Sequence, residues 1–330
     1  MGFPLLIISQ DMLSRIFEII HMKIKIESVN ISEKKGTIKH PVSKIEIIPS
    51  GVENDAHSGD WNRQVSMLAL ESIQKFEQRA KRKINFGEFA ENLTISGLNL
   101  INTAPLDRFI INDAELEITQ IGKKCHGSSC AIFNEVGDCV MPKEGIFCRV
   151  IQGGSISAGD EGVYLPKIFK VLVITLSDRA SKGIYNDLSG PKVSELIGQF
   201  FVSKKRRFEV VNELIPDDPR LLEKLMKEKA RAFDIVITTG GTGIGPKDFT
   251  PDVIRPILDK EIPGIMDMIR LKYGQQKPNA LISRSIAGII GGTLVFTLPG
   301  SVKAVEEYMS ELNNMLEHLI YMLHSLDYHG

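Results

Sequence analysis

Two patterns of apolar positions run along this chain, and one replaces the other near LPKIFK at 165–170. Before that point the segments KIKIESVNIS, KIEIIPSG, NLTISGLNL, RFIINDAELEITQIG and CRVIQGGSISAGDEGVYL are short, β-branched and alternating, and turn residues separate them. Such segments predict strands. The stretch VSMLALESIQKFEQRAKR interrupts them with helical spacing, so one helix is expected there. The reading is a β-rich, barrel-like domain over 22–165.

After that point strands and helices alternate. VLVITLS is a continuous apolar strand of the kind buried on both faces of a parallel sheet. Pro191 is expected to open a helix whose apolar positions Val193, Leu196, Ile197 and Phe200 share a face. FEVVNELI, DIVITT and TLVFTLPG read as further strands. Asp218 and Pro219 read as the cap and first turn of RLLEKLMKEKARA, and a long helix starts at Ser301. This alternation predicts a three-layer α/β domain over 168–330, with a mostly parallel sheet and ligands at the carboxyl ends of its strands.

Composition narrows the function. The chain has 330 residues and a net charge of −1, which argues for about two domains and against bulk nucleic-acid binding. No apolar run is as long as a membrane span. Four cysteines are too few for a disulfide scaffold, and their crowding into 125–148 points to chemistry or metal in a reducing, cytoplasmic setting. Residues 1–21 lack a basic stretch before the short FPLLIIS run, which makes a poor signal peptide. They read as a peripheral extension, or as sequence upstream of a working start at Met22.

Four loops follow strand ends: SDRASKG (177–183), IPDDP (215–219), TGGTGIGPKD (239–248) and LPGSVKAV (298–305). An open α/β sheet gathers such loops at one edge. The glycine loop is not a Walker loop, because no Gly-Lys-Ser/Thr closes it, and Pro246 precedes any helix. Taken alone it could be a tight turn. Beside it, Ser301 would cap a helix whose N-terminal amides suit a phosphate. Capping accounts for Asp218 but not for Asp217, and Asp252 fits the first turn of the helix from Thr250 and Pro251. Carboxylates Asp217 and Asp248 beside phosphate cradles call for a divalent cation between them. The chemistry expected is Mg²⁺-dependent phosphoryl or nucleotidyl transfer.

SDRASKGIYNDLSGP, LIPDD, TTGGTGIGPKDFTPD and LPGSVKAV, in this order, resemble the molybdopterin adenylyltransferase family (MogA/MoaB-like proteins), over roughly 168–325. The resemblance implies a trimer that adenylylates the terminal phosphate of molybdopterin with Mg-ATP and releases pyrophosphate ahead of metal insertion. It places the functional aspartates on Asp217 and Asp248 and the phosphate-binding loop on Gly240, Gly241, Thr242 and Gly243. Gly300 and Ser301 fall on the pterin side, and Ser177, Asp178 and Arg179 on the first loop. Molybdenum-insertion proteins and molybdoenzymes are the implied recipients, and molybdenum and tungsten are not distinguished.

The first half carries a second candidate. Cys125 and Cys130 share a segment with Lys123, Lys124 and His126, cations that favour a thiolate. Zinc fits their spacing poorly, and Cys148 alternates within a strand as a buried apolar residue would. GVENDAHSGDWNRQVSMLALESI, FAENLTISGLNL and EGIFCRVIQGGSISAGD resemble the MOSC domain over roughly 22–165. The family's cysteine falls on Cys130, with Cys125 as rival, since Ser129 stands where a proline is usual and Asn54 where a glycine is expected. The resemblance implies cofactor binding or sulfur carriage, with His57, Arg63, Asn92 and Arg149 as ligand contacts. Fold-holding hydrogen bonds are the alternative for these four. Three alternatives stay open: a non-catalytic pterin carrier or storage protein, a first domain that is a detoxifying or reductase-type module using bound cofactor, and a Mg-nucleotide hydrolase.

Overall fold

The computed structural model describes residues 22–123 and 139–326. The 1–21 extension, Lys124, Cys125, His126, Ser129 and Cys130 lie outside the described residues. The chain divides into two compact units, the first ending at Lys167 and the second starting at Ile168.

The first unit is built from β1 (Met22–Ile31), β2 (His40–Val42), β3 (Lys44–Ile48), β4 (Gly51–Val52), β5 (Val65–Ala69) and β6 (Leu93–Ser96). It continues with β7 (Arg108–Ile111), β8 (Ala114–Ile121), β9 (Ile146–Gln152), β10 (Gly154–Ser157) and β11 (Glu161–Leu165). Seven of these run in the order β11-β7-β8-β9-β5-β6-β1, and β11 pairs again with β1 from Met22↔Tyr164. The sheet is therefore a closed barrel with no edge in that ring. Alternate residues point inward: Ile24, Ile26, Phe109, Ile111, Leu116, Ile118, Ile146 and Cys148 fill the core.

The expected helix over VSMLALESIQKFEQRAKR is only partly present. Val65–Ala69 is strand β5, and the helix is Leu70–Ala80. The strand is buried at every position because both its faces are covered. Val65, Met67 and Ala69 enter the barrel core, while Leu68 packs outside with Ile73, Phe76, Phe89 and Phe147. A short, mostly apolar run carries no period that separates strand from helix.

The second unit holds β12 (Ile168–Leu176), β13 (Arg207–Ile215), β14 (Ile235–Thr239), β15 (Lys260–Glu261), β16 (Ala287–Ile290) and β17 (Thr293–Leu298). Their order is β13-β12-β14-β17-β16-β15. The first four are mutually parallel, and β16 and β15 run antiparallel at one edge. One face buries Leu172, Ile174 and Leu176 against Leu222, Leu225 and Met226 of helix Pro219–Lys229. On the other face Phe169 stacks on Phe201 of helix Ser189–Ser203, with ring centroids 5.0 Å apart. Three layers result. The chain leaves β12 toward β13 on one side and leaves β14 toward β15, β16 and β17 on the other, so the crevice at the carboxyl ends of β12 and β14 is the switch point of the sheet.

The helix caps follow the sequence closely. Asp218 accepts from the N–H groups of Arg220 and Leu221. Ser301 accepts from Ala304. Helix Ser189–Ser203 begins two residues ahead of Pro191 because Asp187 accepts from the N–H groups of Ser189 and Gly190.

Candidate functional site

A cavity of about 620 Å³ opens at the switch point. Of the predicted residues, Ser177, Asp178, Arg179, Asp217, Gly241, Asp248, Gly300 and Ser301 line it. Gly240, Thr242 and Gly243 do not line it and instead shape the loop behind it.

The glycine loop is held from beneath. Gly240 takes φ +107°, and a Cβ there would come within 2.5 Å of the Leu176 carbonyl oxygen. The Gly240 N–H donates to Leu298 at 3.0 Å, and Thr250 Oγ1 donates to the Gly240 carbonyl at 2.9 Å. The two predicted cradles touch here, since a Cβ on Gly300 would lie 3.3 Å from Gly240 Cα. Arg284, which the loop-by-loop reading of the sequence misses, grips the loop's carbonyls. Its N–H donates to Thr242 at 2.8 Å and its Nε to Gly243 at 2.7 Å. A trans peptide sends its C=O and N–H to opposite sides, so this grip turns the N–H groups of Gly243 and Ile244 away from Arg284. The amides of Gly241, Thr242, Gly243 and Ile244 make no hydrogen bond among the described residues. Successive amides of this kind form an anion-binding concavity.

A second set of donors comes from helix Val302–Leu323. Ser301 caps Ala304, while Val302 and Lys303 keep N–H groups that no described residue accepts. With the positive end of the helix dipole, these suit a phosphate. The N-terminus of Ser189–Ser203 is different, since Asp187 claims it and also accepts from Thr175 at 2.7 Å.

The acids are arranged as a locked pair plus one. The Asp178 N–H donates to Asp217 Oδ2 at 3.0 Å, and the Asp217 N–H donates to Asp178 Oδ1 at 3.2 Å. Lys247, a second residue not singled out from the sequence, donates to Asp178 Oδ2. This hydrogen bond holds the Asp178 carboxyl below its usual range and raises the Lys247 ammonium. Asp248 Oδ2 accepts from the Gly245 N–H at 2.8 Å. Oδ1 of Asp217 and Oδ1 of Asp248 have no donor among the described residues. Free carboxylate oxygens beside anion cradles are a donor set that fits Mg²⁺, which takes one or two carboxylates and fills its shell with phosphate and water. Asp252, expected in a first turn, is there and also pairs with Arg284 at 2.8 Å. Tyr185, also unforeseen, bonds Ser177 Oγ at 2.8 Å and lies under Arg179 at 5.1 Å.

The first unit sorts its four predicted contacts. His57 stays partly exposed, with Nδ1 3.6 Å from Asp55 Oδ1. Asp55 is buried against Lys39, whose Nζ is 2.5 Å from Oδ2. Burial works to raise Asp55, but hydrogen bonds from His57 and Lys39 outweigh it and hold the carboxyl well below its usual range. Arg63 lies over the half-exposed Trp61 ring at 5.0 Å. Asn92 and Arg149 each have partners within the fold. Buried Asn92 accepts from the Ser66 N–H and hydroxyl and donates to the Asn30 carbonyl. Arg149 is paired to Glu117 at 2.6 Å. Asn54 takes φ +60°, the left-handed conformation that explains why glycine was expected there, and asparagine tolerates it. Cys148 is fully buried, and burial pushes its thiol far up, which suits an inert core residue.

Comparison with known proteins agrees with this division. Residues 172–318 match a family described as "Probable molybdopterin binding domain", and residues 54–162 match the MOSC domain. A molybdopterin adenylyltransferase from Helicobacter pylori is 36% identical over 41% of this chain and 76% of its own length. One from Pyrococcus furiosus is 36% identical over 47% of this chain and 91% of its own. The Drosophila melanogaster molybdenum cofactor synthesis protein cinnamon is 33% identical over 46% of this chain, which spans only 25% of that longer protein. A solved molybdopterin biosynthesis enzyme, MoaB, from a Thermus species is 33% identical over 48% of this chain and 97% of its own, with a TM-score of 0.43. No helix among the described residues is long and apolar enough to cross a membrane. The chain belongs to the MogA/MoaB-like molybdopterin-binding family of molybdenum cofactor synthesis proteins and carries a MOSC domain ahead of that family's domain.

Proposed function

We propose that the second unit adenylylates molybdopterin. A terminal phosphate oxygen of the pterin attacks the α-phosphorus of ATP. One P–O bond forms, the α–β bridge breaks, and pyrophosphate leaves. The observation that carries this reading is the convergence on one cavity of the Gly241 turn, the helix end at Ser301, and the carboxylates Asp217 and Asp248. Two sets of free amides suit two phosphate-bearing substrates. No side-chain nucleophile is needed, because the attacking atom belongs to the substrate.

Asp217 and Asp248 are the residues that would hold magnesium. When bound, the ion offsets charge on the transferred phosphate and the leaving pyrophosphate. Arg284 keeps the glycine-loop amides aimed, and Gly245 fixes the Asp248 carboxylate. The same reading gives a cytoplasmic homotrimer that takes ATP and pterin and passes adenylylated product to molybdenum-insertion proteins. The MOSC unit would bind the cofactor or carry its sulfur, with the partly exposed His57 and Arg63 as contacts and Cys130 or Cys125 as the thiol.

The test is turnover of molybdopterin with Mg-ATP, scoring adenylylated pterin and pyrophosphate, in wild type and Asp248→Asn. Product from wild type and a loss of roughly 10²-fold in the variant support the transferase. Pterin binding without product would make the chain a carrier.

A further inference from the structure

The two carboxylates Asp178 and Asp217 are fixed against each other, each accepting from the other's main-chain N–H, in a cavity also lined by Asp187, Asp248 and the Gly241 turn. Left alone, they would repel any phosphate. Lys182 acts on it from a distance, and among the described residues one side chain pairs with it directly. Lys247 donates to Asp178 Oδ2 and is attracted by Asp217 as well. Its side chain is 71% exposed, and it rides between Pro246 and Asp248, at the tip of the glycine loop. An exposed ion pair is weak and opens at little cost.

We infer that Lys247 is an exchangeable counter-ion, seated on the Asp178–Asp217 pair in the free protein and released to a substrate phosphate when a divalent cation binds at Asp217. This rests on the nucleotide-transfer reading of the same cavity and goes beyond it in assigning a positioning residue. The arrangement solves a charge problem. The acids needed for the metal would otherwise bar the nucleotide in the interval before both are present. Lys247 offsets part of their charge during that interval, and its ammonium then becomes available on a flexible four-carbon stem next to Asp248. Because the lysine and the metal answer the same negative charge at Asp178 and Asp217, removing the lysine must move two affinities in opposite directions.

The experiment uses the full chain as wild type, Lys247→Gln and Lys247→Arg. Manganese alone is titrated by the loss of the free-ion paramagnetic resonance signal. ATP alone, in chelator, is titrated by calorimetry. We expect Lys247→Gln to bind manganese about fivefold more tightly and metal-free ATP about fivefold more weakly, with Lys247→Arg close to wild type. Shifts in the same direction, or none, in a wild type that binds ATP with manganese overturn the role of Lys247 and leave the transferase reading standing. A wild type that binds ATP neither with manganese nor without it overturns both.

Discussion

Arg284 Nε donates to the Gly243 carbonyl at 2.7 Å, and the same guanidinium reaches the main-chain oxygen of Asp248. One side chain thus fixes the amides that would face a phosphate and the backbone of the acid that would hold its metal. Lysine, a point charge, cannot replace a planar fork bonded to several acceptors. Arg284→Lys is therefore expected to weaken ATP binding by about tenfold while lowering the melting temperature by only a few degrees. Calorimetric titration beside a thermal melt checks this, and unchanged binding would remove Arg284 from the site.

Gly243 offers a sharper probe. A Cβ there would lie 2.7 Å from Asp248 Oδ2. Gly243→Ala should push the carboxylate out of its place without touching the sheet. Turnover should fall by at least roughly tenfold, since ångström-scale misplacement of a catalytic group costs that much or more. Pterin binding at the Ser301 helix should persist. Equal loss of binding and turnover would instead mean that the whole loop had collapsed.

Glu91 makes the barrel sensitive to pH. It is fully buried, its Oε1 accepts from Gly87 and Thr94, and its Oε2 has no partner. Burial raises its pKa from 4.5 to about 7. The folded state therefore holds a proton that the unfolded chain has already lost, and stability falls as pH rises from about 4.5 to about 7. The full difference corresponds to about 3 kcal/mol, fully lost above that window. Glu91→Gln should abolish this dependence and make the first unit more stable at pH 8. Denaturant titrations at pH 5 and pH 8 measure it, and an unchanged slope with pH would refute it.

Lys39 and Asp55 form a buried pair, each with a side chain only 1% exposed. Removing one partner strands the other's charge, so Lys39→Met is expected to cost about 3–5 kcal/mol. Replacing both, as Lys39→Met with Asp55→Leu, should recover part of that, though the Ser32 and His57 N–H groups that now donate to Asp55 would lose their acceptor. A double-mutant cycle by chemical denaturation decides it.

Much of this protein is local in origin. The strand-end loops, the caps Asp218 and Ser301, and the left-handed glycine at 240 each obey rules that operate over a few residues. Sequence spacing was therefore enough to place Ser177, Asp217, Gly241, Asp248 and Gly300 on one edge of a sheet, and the structure puts them round one cavity. The remainder needed the folded chain. VSMLA became a strand because β6 and β9 flank it and a helix covers its outer face, which no pattern within five residues encodes. Arg284 reaches Asp248 across 36 positions, and the Asn92 side chain bonds Ser66 and Asn30, 26 and 62 positions away. Hydrogen bonding and burial are satisfied in three dimensions, so the sequence by itself determined which residues could do chemistry, and only the tertiary contacts decided which of them the fold leaves free to do it.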